Sequence, residues 1–379
     1  MKRLILFFLL LLFVTTINCD FVEAKKYETG SFAFEYRKEE EGVWITKITP
    51  KSNTGIETLH IPKELNGKKV VKIGGEADDI SGDLDDDTNL FGVYIPEEGS
   101  GQCVPKKIHK RVSRIKKIHI PSTVQEITYH CFNYMQDGKS INIPKDVEEN
   151  VEELARCARW SEFKISKKNM KYKSENGCLL SKEGGILYGV IKNAKRMKKL
   201  VIPNTVKTIP VFVEPWDVDE IFFPKGITQI EENGPTTKKS ARVHIEKGSK
   251  IYAVKGGSIY NKVTGRLVSG YVKDGVLRIP SKVKLAGYAN GYLGPKPSKI
   301  IFPSSVKKIN QILGMTDKKK LICVCKGKKP PKLVGTEGTV TAKEITVYVP
   351  NNCKKIYEKK WKSKWKFIEE IKSVRIIEQ

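Results

Sequence analysis

One phrase recurs along this chain and fixes most of what it can become. Written at Ile118-His119-Ile120-Pro121-Ser122-Thr123-Val124-Gln125-Glu126-Ile127, it runs apolar, polar, apolar, Pro, two residues, Val or Ile, two residues, Ile. The same order of residue types stands at Leu200 to Ile209, Ile221 to Ile230 and Ile300 to Ile309, and in part at Leu277 to Val283. Alternation before each Pro is the period of a short strand with one buried face. Pro fixes φ and donates no ladder hydrogen bond, so it ends the strand and turns the chain. The Val or Ile three residues on, and the Ile after it, re-enter the interior. No single unit can bury both apolar sets, so neighbours must stack and share a core.

Spacing selects the kind of array. Pro121 and Pro144 are 23 residues apart, Pro203 and Pro224 are 21 apart, and Pro280 and Pro303 are 23 apart. The wider gaps from Pro144 to Pro203 and from Pro303 to Pro350 leave room for degenerate units. Val243-His244-Ile245-Glu246 reads as a unit that lost its Pro. One strand per unit at a period in the twenties predicts a leucine-rich-repeat solenoid, mainly β, with short irregular or helical convex connections. The phrases Ile-Pro-Ser-Thr-Val-Gln-Glu-Ile, Ile-Pro-Asn-Thr-Val-Lys-Thr-Ile and Phe-Pro-Ser-Ser-Val-Lys-Lys-Ile resemble the BspA-type leucine-rich repeat of bacterial surface proteins. Two further stretches are similar to that family: Asn176 to Gly185, and Val347-Tyr348-Val349-Pro350 with the following Tyr357, Trp361 and Phe367. The resemblance runs from about Leu59 to Ile368. It departs in the second half of each unit, where only His130-Cys131-Phe132 approaches the family's Ala-Phe and Cys.

The predicted organisation is a signal segment (1–24), an N-terminal β cap (25–58), a solenoid (59–350) carrying an acidic insertion (76–89), and a C-terminal cap (351–379). Lys2-Arg3, the apolar run Leu4 to Val14 and the small residues up to Ala24 have the layout of a secretory signal. That run is too short to span a bilayer comfortably, so no transmembrane span is expected in the mature chain. Plain export is favoured over a lipid anchor at Cys19, because Asn18 stands where lipoprotein signals want a smaller residue. Phe32, Phe34 and Tyr36 alternate ahead of Val43 to Ile48, as in a hairpin covering the first repeat. Tyr357, Trp361 and Trp365 form a stripe that would cover the last one.

The formal net charge is +26, which steers the chain toward anionic partners. Lysines on every solvated face explain much of it, and the densest anion-binding patch is Lys106, Lys107, Lys110, Arg111, Arg114 and Lys117. The mature chain keeps seven cysteines, an odd number, so at least one thiol is unpaired. Cys323-Val324-Cys325 places two sulfurs on one strand face, and two small buried residues explain it better than a metal, since no second Cys or His pair accompanies it. Asp83 to Asn89 spaces carboxylates as a calcium loop does, but Thr88 and Tyr94 occupy the Gly and Glu places, so a solvated insertion is preferred. No metal, cofactor or nucleotide site is expected.

Function should lie on the strand-lined face. The residue two before each turn proline, or its equivalent, gives His60, His119, Asn142, Val201, Phe222, His244, Arg278, Ile301 and Tyr348, expected to project in one mixed aromatic, apolar and cationic row. Such a strip suits recognition over an extended area more than chemistry on a small substrate. No nucleophile elbow, zinc-protease helix, phosphate loop or dinucleotide fingerprint is present. Ser-x-x-Lys at Ser281 to Lys284 and Ser305 to Lys308 is a by-product of the repeat. The expectation is a non-catalytic secreted or cell-surface protein. The BspA resemblance implies adhesion to host extracellular-matrix or cell-surface proteins, or to other cells, and the strip itself suits a protein or glycan ligand. The alternative is an envelope protein held by charge to anionic polymers.

Overall fold

The computed structural model describes residues 24–51, 56–75, 90–91, 112, 114–128, 131–132, 138–151, 154, 160–191, 197–210, 216–231, 234–237, 239–286, 291–310, 320–334, 344–362, 364 and 368–374. The signal segment up to residue 23, the acidic insertion, the calcium-like loop and Lys106 to Arg111 lie outside the described residues. So does Trp365.

The recurring phrase folds as its residue types dictate. The strand Lys117–His119 buries Ile118 and exposes its flanking residues, Pro121 follows at the turn, and Val124 and Ile127 are fully buried. Each repeat donates one such strand to a parallel sheet. Thr58–His60, Lys117–His119, Ser140–Ile143 and Phe163–Ile165 pair in that order. Met197–Val201, Val218–Phe223 and Arg242–Ile245 form a second parallel set. Val276–Arg278, Lys299–Phe302, Lys320–Cys325, Glu344–Pro350 and Ile368–Val374 form a third. Short strands after the prolines build a further parallel ladder on the adjoining side, as in Leu285–Ala286, Lys308–Asn310 and Lys332–Val334.

Two antiparallel meanders separate the parallel sets. The first comprises Tyr172–Glu175, Cys178–Ser181 and Leu187–Val190. The second comprises Tyr252–Lys255, Ser258–Asn261 and Leu267–Lys273, whose last strand turns at Asp274-Gly275 into Val276–Arg278. Asn176-Gly177 and Gly256-Gly257 have positive φ at both turn residues, the geometry whose twist matches a two-residue hairpin. The meanders are copies at an offset of 80: Tyr172 and Tyr252, Lys182 and Lys262, and the two turns all correspond. In both, the lysine ammonium donates to the backbone carbonyl at the corresponding position, Asn169 or Ser249.

At the N-terminal end, Lys25–Glu28, Phe32–Lys38 and Val43–Pro50 form an antiparallel meander whose last strand pairs in parallel with Lys68–Ile73. Phe32, Phe34 and Tyr36 enter the core together with Leu59 and Ile118. At the other end the helix Lys354–Trp361 lays Tyr357 and Trp361 over the final strands. The Tyr357 hydroxyl donates to the Gly327 carbonyl at 2.7 Å, and Trp361 Nε1 donates to the Pro331 carbonyl at 2.9 Å. Cys323 and Cys325 point inward among Phe302, Val347 and Ile345, where burial pushes both thiols well up. All five described cysteines, Cys131, Cys178, Cys323, Cys325 and Cys353, are buried.

Candidate functional site

Parallel pairing sets which side chains stand beside one another, because residues in register lie one rung apart, about 4.8 Å. The nine expected face residues do pair across strands, but in three rows and not one. His60 pairs with His119 and His119 with Asn142. Val201 pairs with Phe222 and Phe222 with His244. Arg278 pairs with Ile301, and the row continues to Tyr348. The antiparallel meanders reverse the chain between these groups and so break the row.

In the first row the His60 and His119 rings stack with centroids 4.5 Å apart and planes within 5°. Desolvation, then His60, Lys117 and Lys164, lower the His119 pKa from its ordinary value. Asn142 is engaged in structure: its Oδ1 accepts from the Ile120 amide and its Nδ2 donates to the Ile120 carbonyl, each at 3.1 Å. Those bonds extend the sheet past the point where Pro121 ends it. Of the anion patch, the described Arg114 and Lys117 are both exposed.

The second row is the most organised. Phe222 and His244 stack at 4.3 Å and 11°, and Lys199 places its ammonium 4.4 Å from the Phe222 ring centroid, a favourable cation–π arrangement. Lys199, Glu220 and Arg242 pair across the same strands as an adjacent row. Glu220 makes an ion pair with Arg242 and lies 3.9 Å from His244 Nε2. Val201, exposed to 41 %, closes the apolar side.

The third row is the longest. Arg278, Ile301, Val324, Tyr348 and Lys372 follow one another in register. Beside it run Val276, Lys299 and Ile322, then Thr346 and Glu370. Ile301, Val324 and Tyr348 are half-buried and Ile322 is exposed, which leaves an apolar centre. Charged groups rim it, including the Lys320–Glu344 and Lys372–Glu370 pairs at 2.7 and 2.8 Å.

Residues that the proline-anchored reading missed complete these rows. Lys164 extends the first, and Val324 and Lys372 extend the third. None stands two before a proline. The available signal was spacing: Phe163-Lys164-Ile165 alternates 22 residues after Ile141-Asn142-Ile143. An open groove of about 510 Å³ lined by Glu41, Gln125, Glu126, Asp146, Glu148 and Glu149 was not anticipated either.

Comparison with known proteins bears on the repeat directly. The family described as "BspA type Leucine rich repeat region (6 copies)" matches over 87–179. This stretch is a BspA-type leucine-rich-repeat region. Proteins built on the BspA-type repeat have surface and binding roles and are generally not enzymes. No curated protein sequence matches the chain. Among solved structures, a leucine rich cell surface protein from Faecalibacterium prausnitzii is 14 % identical over 93 % of this chain and 96 % of its own, with a TM-score of 0.37. The pneumococcal vaccine antigen PcpA is 12 % identical over 93 % and 99 %, with a TM-score of 0.35. A leucine-rich repeat protein from Eubacterium ventriosum is 13 % identical over 93 % and 85 %, with a TM-score of 0.33. At such scores these likenesses add nothing to the fold, which rests on the strand pairing above. No helix among the described residues is long and apolar enough to cross a membrane.

Proposed function

We propose that this protein is a secreted or cell-surface adhesin that binds protein ligands on host matrix, host cells or neighbouring cells through its strand-lined face, without catalysing a reaction. The observation that supports this most is the register of the outward side chains. Phe222 stacked on His244, and Ile301, Val324 and Tyr348 in sequence, place aromatic and apolar groups on rigid parallel strands. Preorganised aromatic anchors with a charged rim are where binding energy concentrates. The net charge of +26 supports a second reading, association with anionic polymers by charge alone.

Salt separates the two. Charge-driven association weakens steeply as screening rises, while a packed interface persists. The mature chain, Lys25 to Gln379, is to be tested on an array of matrix proteins, sulfated glycans and nucleic acids at low and high salt. Retention of a protein ligand at high salt, with affinity reduced roughly tenfold or more by Phe222→Ala with Tyr348→Ala, is the expected result. Uniform loss from every anionic spot, indifferent to the double substitution, would establish the charge-held alternative.

A further inference from the structure

The two meanders are internal copies, and they differ at one place in a way that creates a cavity. In the first, the hairpin turn is Asn176-Gly177, and a Cβ on Gly177 would lie 2.9 Å from Ile191. In the second, the turn is Gly256-Gly257, and a Cβ on Gly257 would lie 2.6 Å from the Tyr271 ring. The offset of 80 holds for both pairs. The same site is therefore walled by an isoleucine with an asparagine at the turn in one copy. In the other it is walled by a tyrosine with a glycine at the turn. A Cβ at Gly256 would meet nothing within 4 Å, so the glycine leaves open a space that an asparagine side chain at this turn position would enter.

That space is a pocket of about 370 Å³ lined by Gly256, Tyr271, Lys273, Asp274, Val276 and Arg278. It lies where the second meander hands the chain to the third parallel sheet. Neither Lys273 nor Arg278 is in an ion pair among the described residues, and Asp274 sits in the turn between them. Lys255, one residue before Gly256, is engaged with the Ser281 hydroxyl at 3.1 Å. The half-buried Tyr271 is positioned from behind: its amide donates to the buried Ser258 hydroxyl at 2.8 Å. Gly257 admits its ring to close contact. An aromatic wall, two uncommitted cations and one carboxylate acceptor in a shallow, preformed hollow match a small ring that carries hydroxyls and an anionic group.

We infer that this pocket binds an anionic monosaccharide unit, with the sugar ring against Tyr271, its carboxylate or sulfate on Arg278 and Lys273, and a hydroxyl donating to Asp274. Guanidinium recognises such anions by paired, charge-assisted hydrogen bonds. The volume is at the lower end of that of small-molecule sites, about 300 to 1,000 Å³, and suits one or two sugar residues. This pocket shares Val276 and Arg278 with the strand-face rows but neither Phe222 nor Tyr348, so it goes beyond the adhesin reading and does not depend on it.

Saturation-transfer NMR on the mature chain tests the inference, with glucuronate, N-acetylneuraminate and a sulfated galactose as probes and galactose as the neutral control. Expected are signals from one or more acidic sugars, none from galactose, and a loss of affinity of roughly tenfold or more with Arg278→Gln. Gly256→Asn is the decisive variant: Asn176 holds φ of 52° at the equivalent position, so the substitution keeps the turn while filling the hollow. It should abolish the signal, as should Tyr271→Ile, with unchanged circular dichroism. Equal binding of galactose, insensitivity to Gly256→Asn, or no signal from any acidic sugar overturns the assignment. Both pocket variants leave Phe222 and Tyr348 in place, so protein binding measured alongside reports separately on the strand face.

Discussion

Asn169 is the side chain on which neighbouring repeats depend most visibly. It is fully buried, and its amide makes four hydrogen bonds. Nδ2 donates to the carbonyls of Pro144 and Val147 at 3.0 and 2.8 Å, and Oδ1 accepts from the amides of Lys171 and Tyr172 at 3.0 and 2.8 Å. One residue thus ties the turn of one repeat to the entry of the first meander. At about 1 kcal/mol for each buried bond lost, Asn169→Ala should cost about 4 kcal/mol. The duplication supplies the control. Ser249 occupies the equivalent place, and its hydroxyl accepts from the Tyr252 amide at 3.3 Å, so Ser249→Ala should cost about 1 kcal/mol. Urea unfolding gives the two free energies. Hydrogen exchange gives the local signature, a loss of protection at the Lys171 and Tyr172 amides. If Asn169→Ala costs no more than Ser249→Ala, or leaves those two amides protected, the inter-repeat role assigned to Asn169 is refuted.

Other consequences follow from the same packing. Trp361 is only 1 % exposed and bonds the Pro331 carbonyl, so Trp361→Ala should destabilise by about 3–5 kcal/mol and loosen the final strands first, read by exchange at Ile368 to Val374. His119 titrates below its ordinary value of 6.5 because burial and then the charges of His60, Lys117 and Lys164 oppose its protonation. A lowered folded pKa means the unfolded chain binds the proton more readily, so stability falls as pH drops through 6.5 and levels once the folded pKa is passed. His119→Gln should flatten that part of the thermal-melt profile; an unchanged slope between about pH 7 and 5 argues against the stacked pair as its source. Substituting Lys199 by Gln removes the cation over Phe222 and should cost less than about 1 kcal/mol, measured as a double-mutant cycle with Phe222→Leu.

The rungs were legible wherever a proline marks the strand end, because Pro both terminates a ladder and fixes the count backward to the outward residue. His119, Phe222 and Ile301 were found this way. Lys164, Val324 and Lys372 have no such mark, and only the interval from the preceding strand places them. The hairpin turns Asn176-Gly177 and Gly256-Gly257 were legible, since each demands positive φ. Their effect on the face was not: reversing the chain twice divides one row into three, and strand order is a property of pairing that local residue types do not encode. Asn142 illustrates a different limit. Its place on the face follows from alternation, yet its amide is occupied by the backbone of Ile120, a neighbour 22 residues away that only register brings beside it. The pocket at Tyr271 was hidden for a similar reason. It arises from the difference between two copies, and becomes visible when Gly256 is compared with Asn176.

Row dimensions restrict what kind of ligand the face can hold. At about 4.8 Å per rung, the five-residue row from Arg278 to Lys372 spans about 19 Å and the three-residue row from Val201 to His244 about 10 Å. A standard protein interface covers about 800 Å² on each partner, the area of a patch about 28 Å across. Neither row is that large. A stable partner must therefore also cover the flanking rows, Lys199 to Arg242 and Val276 to Glu370, or reach across the second meander and engage both blocks. Single substitutions distinguish these modes. If one partner bridges the blocks, Phe222→Ala and Tyr348→Ala each weaken binding and their free energies add, since residues well separated on a rigid array do not couple. If the partner sits on one block, one of the two substitutions is silent and the double variant binds no worse than the effective single. Affinities of the two single variants and the double, measured at high salt against one protein ligand, decide between them. Two silent single substitutions, with binding intact, would remove the parallel strands from the recognition surface altogether.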